Sequence, residues 1–153
     1  MIRVQEADFD VGAEYLVLVS DDTSAGAVVT FTGRVRDLNL AQSVLGLRLE
    51  HYPGMTEKSL ENIEQEARAR WSILRCTIIH RIGNLQLGDN IVFVGVTSAH
   101  REDAFAAAAF LMDYLKTRAP FWKKELTPAG NVWVEAQDKD VQAAERWQAD
   151  RSS

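Results

Sequence analysis

A short basic segment, residues 112–125, carries the side chains best suited to chemistry. It reads Met-Asp-Tyr-Leu-Lys-Thr-Arg-Ala-Pro-Phe-Trp-Lys-Lys-Glu and places Lys116, Arg118, Lys123 and Lys124 around an apolar Ala-Pro-Phe-Trp break. The chain of 153 residues has a formal net charge of -5, so this cluster of cations is a local feature. An amine held among other cations and beside apolar groups has a lowered pKa, which lets it act as a base or a nucleophile.

Two other places carry cationic or imidazole groups. Arg34 and Arg36 follow an apolar run, and His100 with Arg101 lies where a strand gives way to a helix. Arginines in a loop are more often a solvated surface, and cations at a helix end more often complement its dipole. The arginine guanidinium can also donate two parallel hydrogen bonds to a phosphate or carboxylate, and a helix N-terminus supplies backbone N–H donors for an anion. Taken together, the three places predict an anion pocket.

Apolar periodicity predicts the elements that must position these groups. Residues 27–32 are a β-branched run typical of a buried strand, which we expect to end at Gly33. Residues 91–96 are apolar on both faces and predict a central strand covered from both sides. A helix then runs from about Ser98, a suitable N-cap, to Pro120, which cannot continue it. Its predicted apolar stripe consists of Phe105, Ala108, Ala109, Met112 and Leu115.

The remaining segments complete a single domain of α+β character, because no linker or repeat divides the chain. Cys76 is expected to point into the core as a small apolar residue. His80 at the end of the same strand is expected to be structural, and the sequence leaves a catalytic role open. The predicted strands are a short one at 2–5 and longer ones at 44–51 and 74–82, and residues 121–126 with 132–136 form a predicted hairpin. The predicted helices are at 11–19 and from a Thr56 cap to about Trp71. The polar stretch at 137–153 is expected to be a tail or a short helix anchored by Trp147.

Composition excludes several classes of function. One cysteine cannot form an intramolecular disulfide, and no Cys/His cluster predicts a metal site. No stretch is long and apolar enough for a signal peptide or a membrane span, so we expect a cytoplasmic protein. The negative net charge argues against a general nucleic-acid binder, whose affinity for phosphates needs a broad basic surface.

Four ordered motifs together resemble a known family, the large, catalytic subunit of molybdopterin synthase. They are Phe-Thr-Gly-Arg-Val-Arg at 31–36, Leu-Glu-His-Tyr-Pro-Gly-Met at 49–55, Val-Gly-Val-Thr-Ser-Ala-His-Arg at 94–101 and Leu-Lys-Thr-Arg-Ala-Pro-Phe-Trp-Lys-Lys-Glu at 115–125. The resemblance spans one domain, residues 1–147, and leaves 148–153 as a polar C-terminal tail. It implies an α/β hammerhead-like domain with an additional antiparallel sheet.

The resemblance also implies an activity and its partners. The family's enzyme is a transferase of molybdenum cofactor biosynthesis that installs the dithiolene of molybdopterin on cyclic pyranopterin monophosphate. Its sulfur comes from a small ubiquitin-like subunit whose C-terminal Gly-Gly ends in a thiocarboxylate, so no cofactor is implied. The large subunit forms a homodimer with a small subunit at each distal end, which makes a heterotetramer.

Site residues carry over from the family by position. Lys116 and Lys123 match its two catalytic lysines. We hypothesise that Lys116 engages the partner's terminal carbonyl and the substrate carbon while Lys123 assists proton transfer or stabilises charge, although the sequence leaves this division open. Ala41 stands where many relatives have glycine, which affects the shape of the loop after Arg36. The substrate-binding positions are Arg34, Val35, Arg36, His100, Arg101, Lys124 and Glu125, of which Glu125 can orient a lysine and Lys124 is peripheral to the chemistry.

A competing hypothesis is a non-catalytic binding module. The same cationic pocket can capture an anionic ligand or the C-terminal carboxylate of a partner protein. Such a receptor should tolerate arginine at positions 116 and 123, whereas amine chemistry should not.

Overall fold

The fold is taken from a computed structural model that describes residues 1–39, 42–134 and 138–149. None of the helices in these residues is long and apolar enough to cross a membrane. The strands are β1 (Ile2–Gln5), β2 (Ala27–Arg34), β3 (Leu38–Asn39), β4 (Gln42–Ser43), β5 (Gly46–His51), β6 (Arg75–Arg81), β7 (Gly83–Gln86), β8 (Asn90–Ser98), β9 (Phe121–Thr127) and β10 (Gly130–Val134). The helices are α1 (Val11–Val19), α2 (Met55–Arg70), α3 (Arg101–Arg118) and α4 (Asp138–Ala149).

The first sheet has the strand order β1-β6-β8-β2, in which only the β1–β6 pair is parallel. Along β8, Val92, Val94 and Val96 belong to the main core with α2 and α3, whereas Phe93 packs on the opposite side with Leu18 of α1. Alternate side chains of a strand point to opposite faces, so helices cover both faces of this sheet. The predicted central strand is confirmed.

The second sheet is fully antiparallel and has the order β10-β9-β5-β7, and β3 and β4 form a separate short pair. Leu47 and Leu49 of β5 are buried with Val35, while Arg48 and Glu50 face outward. The strand predicted at 44–51 is confirmed from Gly46 to His51, but Leu45, expected on the same side as Leu47 and Leu49, is 57% exposed and precedes the strand. Two mostly antiparallel sheets with four helices confirm the α+β class and its additional antiparallel sheet.

Within the polar C-terminal stretch, residues 138–149 form helix α4, which docks on the core through Trp147. The Trp147 ring makes edge contacts with Trp71 and Phe110, and its Nε1 donates a hydrogen bond to Asp113 at 2.7 Å. Arg70 donates to the backbone carbonyl of Trp147 at 2.9 Å. The anchoring role predicted for Trp147 is therefore confirmed.

Two predicted N-caps are wrong, because tertiary partners take their hydroxyl groups. Ser98 is the last residue of β8, and its Oγ donates to the carbonyl of Ser72 at 2.7 Å, so α3 begins three residues later at Arg101. Thr56 lies inside α2, where its Oγ1 donates to the carbonyl of Pro120 at 3.0 Å. The Ser98 hydroxyl thus ties the end of β8 to Ser72, and the Thr56 hydroxyl ties the start of α2 to Pro120.

The predicted stripe of α3 is wrong at Phe105, whereas Ala108 and Leu115 are buried and Met112 packs against the core. Phe105 is 64% exposed. Alanines are apolar on every side of a helix, so the run at 106–109 cannot indicate which side packs inward. The buried face of α3 consists of Ala104, Ala107, Ala108, Phe110, Leu111, Tyr114 and Leu115. The buried strand predicted at 27–32 is also wrong, because β2 is an edge strand with no fully buried residue, and it extends one residue beyond Gly33.

Two predictions concern residues that the structure does not describe. They are the effect of Ala41 on the loop after Arg36 and the end of the predicted hairpin at 135–136.

Gly26 enters β2 where the chain passes close to the end of β8. Its N–H donates to the carbonyl of Ser98 at 3.0 Å, and an added Cβ would overlap the carbonyl oxygen of Ala99. Backbone cannot yield as a flexible side chain does, so Gly26→Ala should lower the free energy of unfolding by about 1–3 kcal/mol in urea titration. The control is Gly12→Ala in α1, where a Cβ has room and should not destabilise the protein. Equal stability of the two variants would contradict this expectation.

Candidate active site

A cleft of about 490 Å³ opens between the two sheets, beside the C-terminal end of α3. Its apolar wall includes Phe31, Val92, Leu115 and Phe121. Its polar side chains come from separate parts of the chain, so the fold alone brings them together. These side chains are Arg34, Arg36, His80, Lys116, Lys123, Glu125 and Asp140.

The turn after α3 aims the two lysines of the basic segment at the cleft. α3 ends at Arg118, and Ala119 is extended before Pro120, so the chain reverses directly into β9. Successive side chains then alternate between the faces of the second sheet. Lys123 and Glu125 face the cleft, while Lys124 lies on the other face with its Nζ 5.1 Å from the centre of the Trp133 ring.

Lys123 has a perturbed amine. Burial lowers the pKa of Lys123 below its ordinary value, and the positive charges of Lys116 and Arg36 lower it further. Glu125 and Asp140 act in the opposite direction, but burial is the larger effect. A lysine with a lowered pKa reaches its neutral, reactive form more readily. The lowered pKa predicted for a lysine of the basic segment is confirmed at Lys123.

Lys116 occupies the last turn of α3 and is more open to solvent. Its side chain is 50% exposed, and its Nζ lies 3.9 Å from Oδ1 of Asp140 in α4. An ion pair of this exposure contributes little to stability. Arg118, also in this turn, lies over the Tyr114 ring and pairs with Glu66, which supports a structural role.

Residues 34–36 form one rim of the cleft. Arg34 ends β2 after an irregularity in its pairing with β8, and its guanidinium donates to the carbonyl of Gly88 at 3.1 and 3.2 Å. Val35 is buried against the second sheet, and its N–H donates to the carbonyl of Asp89 at 2.9 Å. These contacts hold the backbone so that Arg36, which is exposed, stands at the cleft.

His100 and Arg101 do not reach the cleft of their own chain. They follow β8, whose Ser98 pairs with Ala27 at the start of β2, whereas Arg34 pairs with Asn90 at the other end. At about 3.3 Å per residue, the two ends of β2 are roughly 23 Å apart. Both side chains are exposed. One copy of the chain therefore brings together Arg34, Val35, Arg36, Lys116, Lys123 and Glu125, but not His100, Arg101 or Lys124.

Comparison with known proteins identifies the family. The family model described as "MoaE protein" matches residues 4–118. The molybdopterin synthase catalytic subunit of Escherichia coli (strain K12) is 65% identical over 146 residues, which cover 95% of this chain and 97% of the relative. The chain belongs to the MoaE family of molybdopterin synthase catalytic subunits. The family inferred from the four motifs is thereby confirmed.

Solved MoaE-type structures share the fold along nearly the whole chain. The molybdopterin biosynthesis MoaE protein from Burkholderia ambifaria MC40-6 has a TM-score of 0.82 and 50% identity, and the match covers 97% of each chain. Molybdopterin synthase from Staphylococcus aureus has a TM-score of 0.79 and 32% identity, over 86% of this chain and 94% of that one. The family's enzymes act in molybdenum cofactor biosynthesis.

Two cleft residues of this MoaE chain were missed by sequence reasoning. His80 continues the inward alternation of Cys76 and Ile78, which is a signal that it faces the covered side of the sheet. Asp140 has no such signal, because it lies in a polar stretch and reaches the cleft only through the docking of α4.

Cys76 is inert, as its position in the sequence predicted. The side chain is 3% exposed in the main core. Burial raises the pKa of the Cys76 thiol to about 12, and the charge of Glu64 raises it further. A thiol of this kind is not a nucleophile near neutral pH.

Proposed function

We propose that this chain catalyses the transfer of sulfur from a thiocarboxylated ubiquitin-like small subunit to cyclic pyranopterin monophosphate, which forms the dithiolene of molybdopterin. The observation that carries the proposal is the convergence of Arg34, Arg36, Lys116 and Lys123 in one cleft. Arginine suits a phosphate, and a lysine of lowered pKa suits amine chemistry. A thiocarboxylate is itself an anion and is attracted by the same charges.

The two lysines have environments suited to different tasks. The lowered pKa of Lys123 supports a role in proton transfer at the substrate. Lys116 is half exposed, which supports a role in engaging the terminal carbonyl of a partner that arrives from solvent. Glu125, 4% exposed, raises the pKa of Lys123 and so opposes the effect of burial.

The partner supplies the sulfur in this proposal. The relatives are named catalytic subunits, a name that implies a further subunit. The chain's single cysteine is buried in the core, away from the cleft, so the sulfur must arrive from another molecule. A ubiquitin-like tail ending in Gly-Gly is slender enough to enter a cleft and present its terminal thiocarboxylate.

A homodimer would complete the site with His100 and Arg101. Strand β2 lies at the edge of the first sheet, and no other described strand pairs with its outer side. An unpaired strand edge is a template for pairing with another chain. Antiparallel pairing of two β2 strands about their midpoint would place Ala27 of each copy beside Arg34 of the other. His100 and Arg101 of one copy would then approach the cleft of its partner.

Reconstitution tests the proposed function. The chain is mixed with a thiocarboxylated ubiquitin-like protein and cyclic pyranopterin monophosphate, with no metal or organic cofactor added, and the mass of the pterin is followed. We expect the pterin to gain sulfur and lose its cyclic phosphate form. The same mixture with an unthiolated partner is the control. If the pterin gains no sulfur under conditions in which the Escherichia coli relative is active, the proposal fails.

Removal of the chain's own thiol should leave the reaction intact. We expect Cys76→Ala to keep kcat within about twofold of the unmodified chain, because the thiol is buried in the core and reacts poorly. Loss of the small buried side chain should cost about 1 kcal/mol of unfolding free energy. Turnover and urea titration check the two expectations. Loss of turnover in a stably folded variant would contradict an external source of sulfur.

A further inference from the structure

His80 is a buried aromatic group on the floor of the cleft. It is 5% exposed in β6, where it pairs with Val92 of β8. Its ring stacks on Phe121, with the ring centres 3.7 Å apart and the planes 17° apart. Phe121 is the first residue of β9, the strand that carries Lys123. The stack therefore joins the two sheets beside the reactive lysine.

The two nitrogens of the His80 ring have different roles. Nδ1 lies 2.8 Å from the backbone carbonyl oxygen of Arg81, and a carbonyl oxygen can only accept, so Nδ1 carries the hydrogen. Burial lowers the pKa of His80 to about 4, and the nearby charge of His51 lowers it as well. The ring is therefore neutral near pH 7, and Nε2 has an available lone pair.

Nε2 is the unpartnered nitrogen of the ring. It has no hydrogen-bond partner among the described residues, whereas Nδ1 is bonded to the Arg81 carbonyl. The residue is 5% exposed, so a further partner for Nε2 must come from the solvent space beside the ring. The solvent space that His80 lines is the cleft.

Most of the polar side chains that line the cleft are charged, and the neutral His80 ring differs from them in this respect. The cationic side chains that line the cleft, Arg34, Arg36, Lys116 and Lys123, are donors when charged. Its carboxylates, Glu125 and Asp140, both act on the charge of Lys123. The phosphate of a cyclic pterin monophosphate accepts hydrogen bonds and suits the cations, whereas its pterin ring carries N–H groups that need an acceptor.

We propose that Nε2 of His80 is a specificity-determining acceptor that binds an N–H group of the pterin ring and orients the ring beside Phe121. The inference rests on the proposed function and deepens it, because it assigns opposite ends of the substrate to different residues. The arginines bind the phosphate, and His80 reads the heterocycle. The partner's tail meets the half-exposed Lys116 instead, since His80 lies deeper in the cleft.

The test compares His80→Phe with His51→Phe, a matched change outside the cleft lining. Phenylalanine keeps a flat ring for the stack and removes the lone pair. Calorimetric titration without the small subunit measures Kd for cyclic pyranopterin monophosphate, and competition measures Kd for inorganic phosphate. We expect His80→Phe to weaken pterin binding about 5- to 100-fold, the usual effect of losing a hydrogen-bond partner in a buried site, and to leave phosphate binding unchanged. His51→Phe should change neither Kd.

A second variant distinguishes loss of the hydrogen-bond acceptor in His80→Phe from a change in packing. His80→Gln places an amide oxygen near the position of Nε2, so it should bind the pterin more tightly than His80→Phe does. Unchanged pterin affinity in His80→Phe, or an equal loss of pterin and phosphate affinity, would overturn this inference alone. So would a loss confined to binding of the unthiolated small subunit. Failure of the unmodified chain to bind the pterin would overturn the proposed function together with it.

Discussion

Replacement of Lys123 with alanine is expected to lower kcat for sulfur transfer by about 100-fold or more, the usual contribution of a positioned proton-transfer group. Lys123 faces the cleft on β9, and burial lowers its pKa, so its neutral amine forms more readily than that of an exposed lysine. Single-turnover formation of the dithiolene, followed by the mass of the pterin, measures the effect. The adjacent Lys124→Ala is the comparison, because Lys124 lies over Trp133 on the opposite face.

Arginine at position 123 separates catalysis from simple anion binding. Arginine keeps the positive charge but cannot lose its proton near neutral pH. We therefore expect Lys123→Arg to bind the pterin and the small subunit while turnover stays as low as in Lys123→Ala. A non-catalytic carboxylate receptor would tolerate this change. If Lys124→Ala loses as much turnover as Lys123→Ala, the implied substrate-binding role of Lys124 is supported and the special role of Lys123 is not.

The pH profile provides a second view of the same amine. The neutral fraction of a lysine rises with pH, so turnover should rise through a pKa below the ordinary value of 10.5. Glu125 raises the pKa of Lys123 more than Asp140 does, so Glu125→Gln should move this limb of the profile to lower pH. A profile that Glu125→Gln leaves in place would argue against Lys123 as the titrating group.

Mixing two inactive variants is expected to restore activity. Lys116→Ala removes a lysine from the cleft, and Arg101→Ala changes a residue that one chain holds at the far end of β2. If Arg101 serves the cleft of the other copy, a mixed dimer has one site in which both residues are intact. Random exchange makes half of the dimers mixed, so about a quarter of the unmodified activity should return for a symmetric dimer.

The complementation needs two controls. Each variant alone should form dimers and remain inactive, and mass spectrometry of the intact complex should show mixed dimers after co-refolding. Mixed dimers without activity would mean that His100 and Arg101 do not act across the interface.

Pairing through β2 is tested in parallel by Thr30→Pro, which removes a backbone donor at an exposed position of this edge strand. That variant should be monomeric in sedimentation, and a dimer of normal affinity would place the contact elsewhere.

Local sequence patterns were sufficient for most elements of the fold. The apolar run at 91–96 predicted the central strand, and the pattern at 44–51 predicted β5 with Leu47 and Leu49 on its buried side, although Leu45 is exposed. Pro120 marked the end of α3 because proline cannot continue a helix. The sequence-based predictions failed where a side chain is placed by residues distant in the sequence. The hydroxyls of Ser98 and Thr56 bond to the carbonyls of distant residues instead of capping helices, and Phe105, placed on the apolar stripe of α3, is exposed.

The sequence by itself determined the family and the chemical types in the site, because the four motifs and the lysines of the basic segment can be read without coordinates. Only the tertiary structure decided which of those groups meet. It showed that strand alternation separates Lys123 from Lys124, and that burial lowers the pKa of Lys123. It also brought His80 and Asp140 to the cleft and left His100 and Arg101 at the far end of β2. Such distances and burials depend on how sheets and helices pack, which local periodicity does not encode.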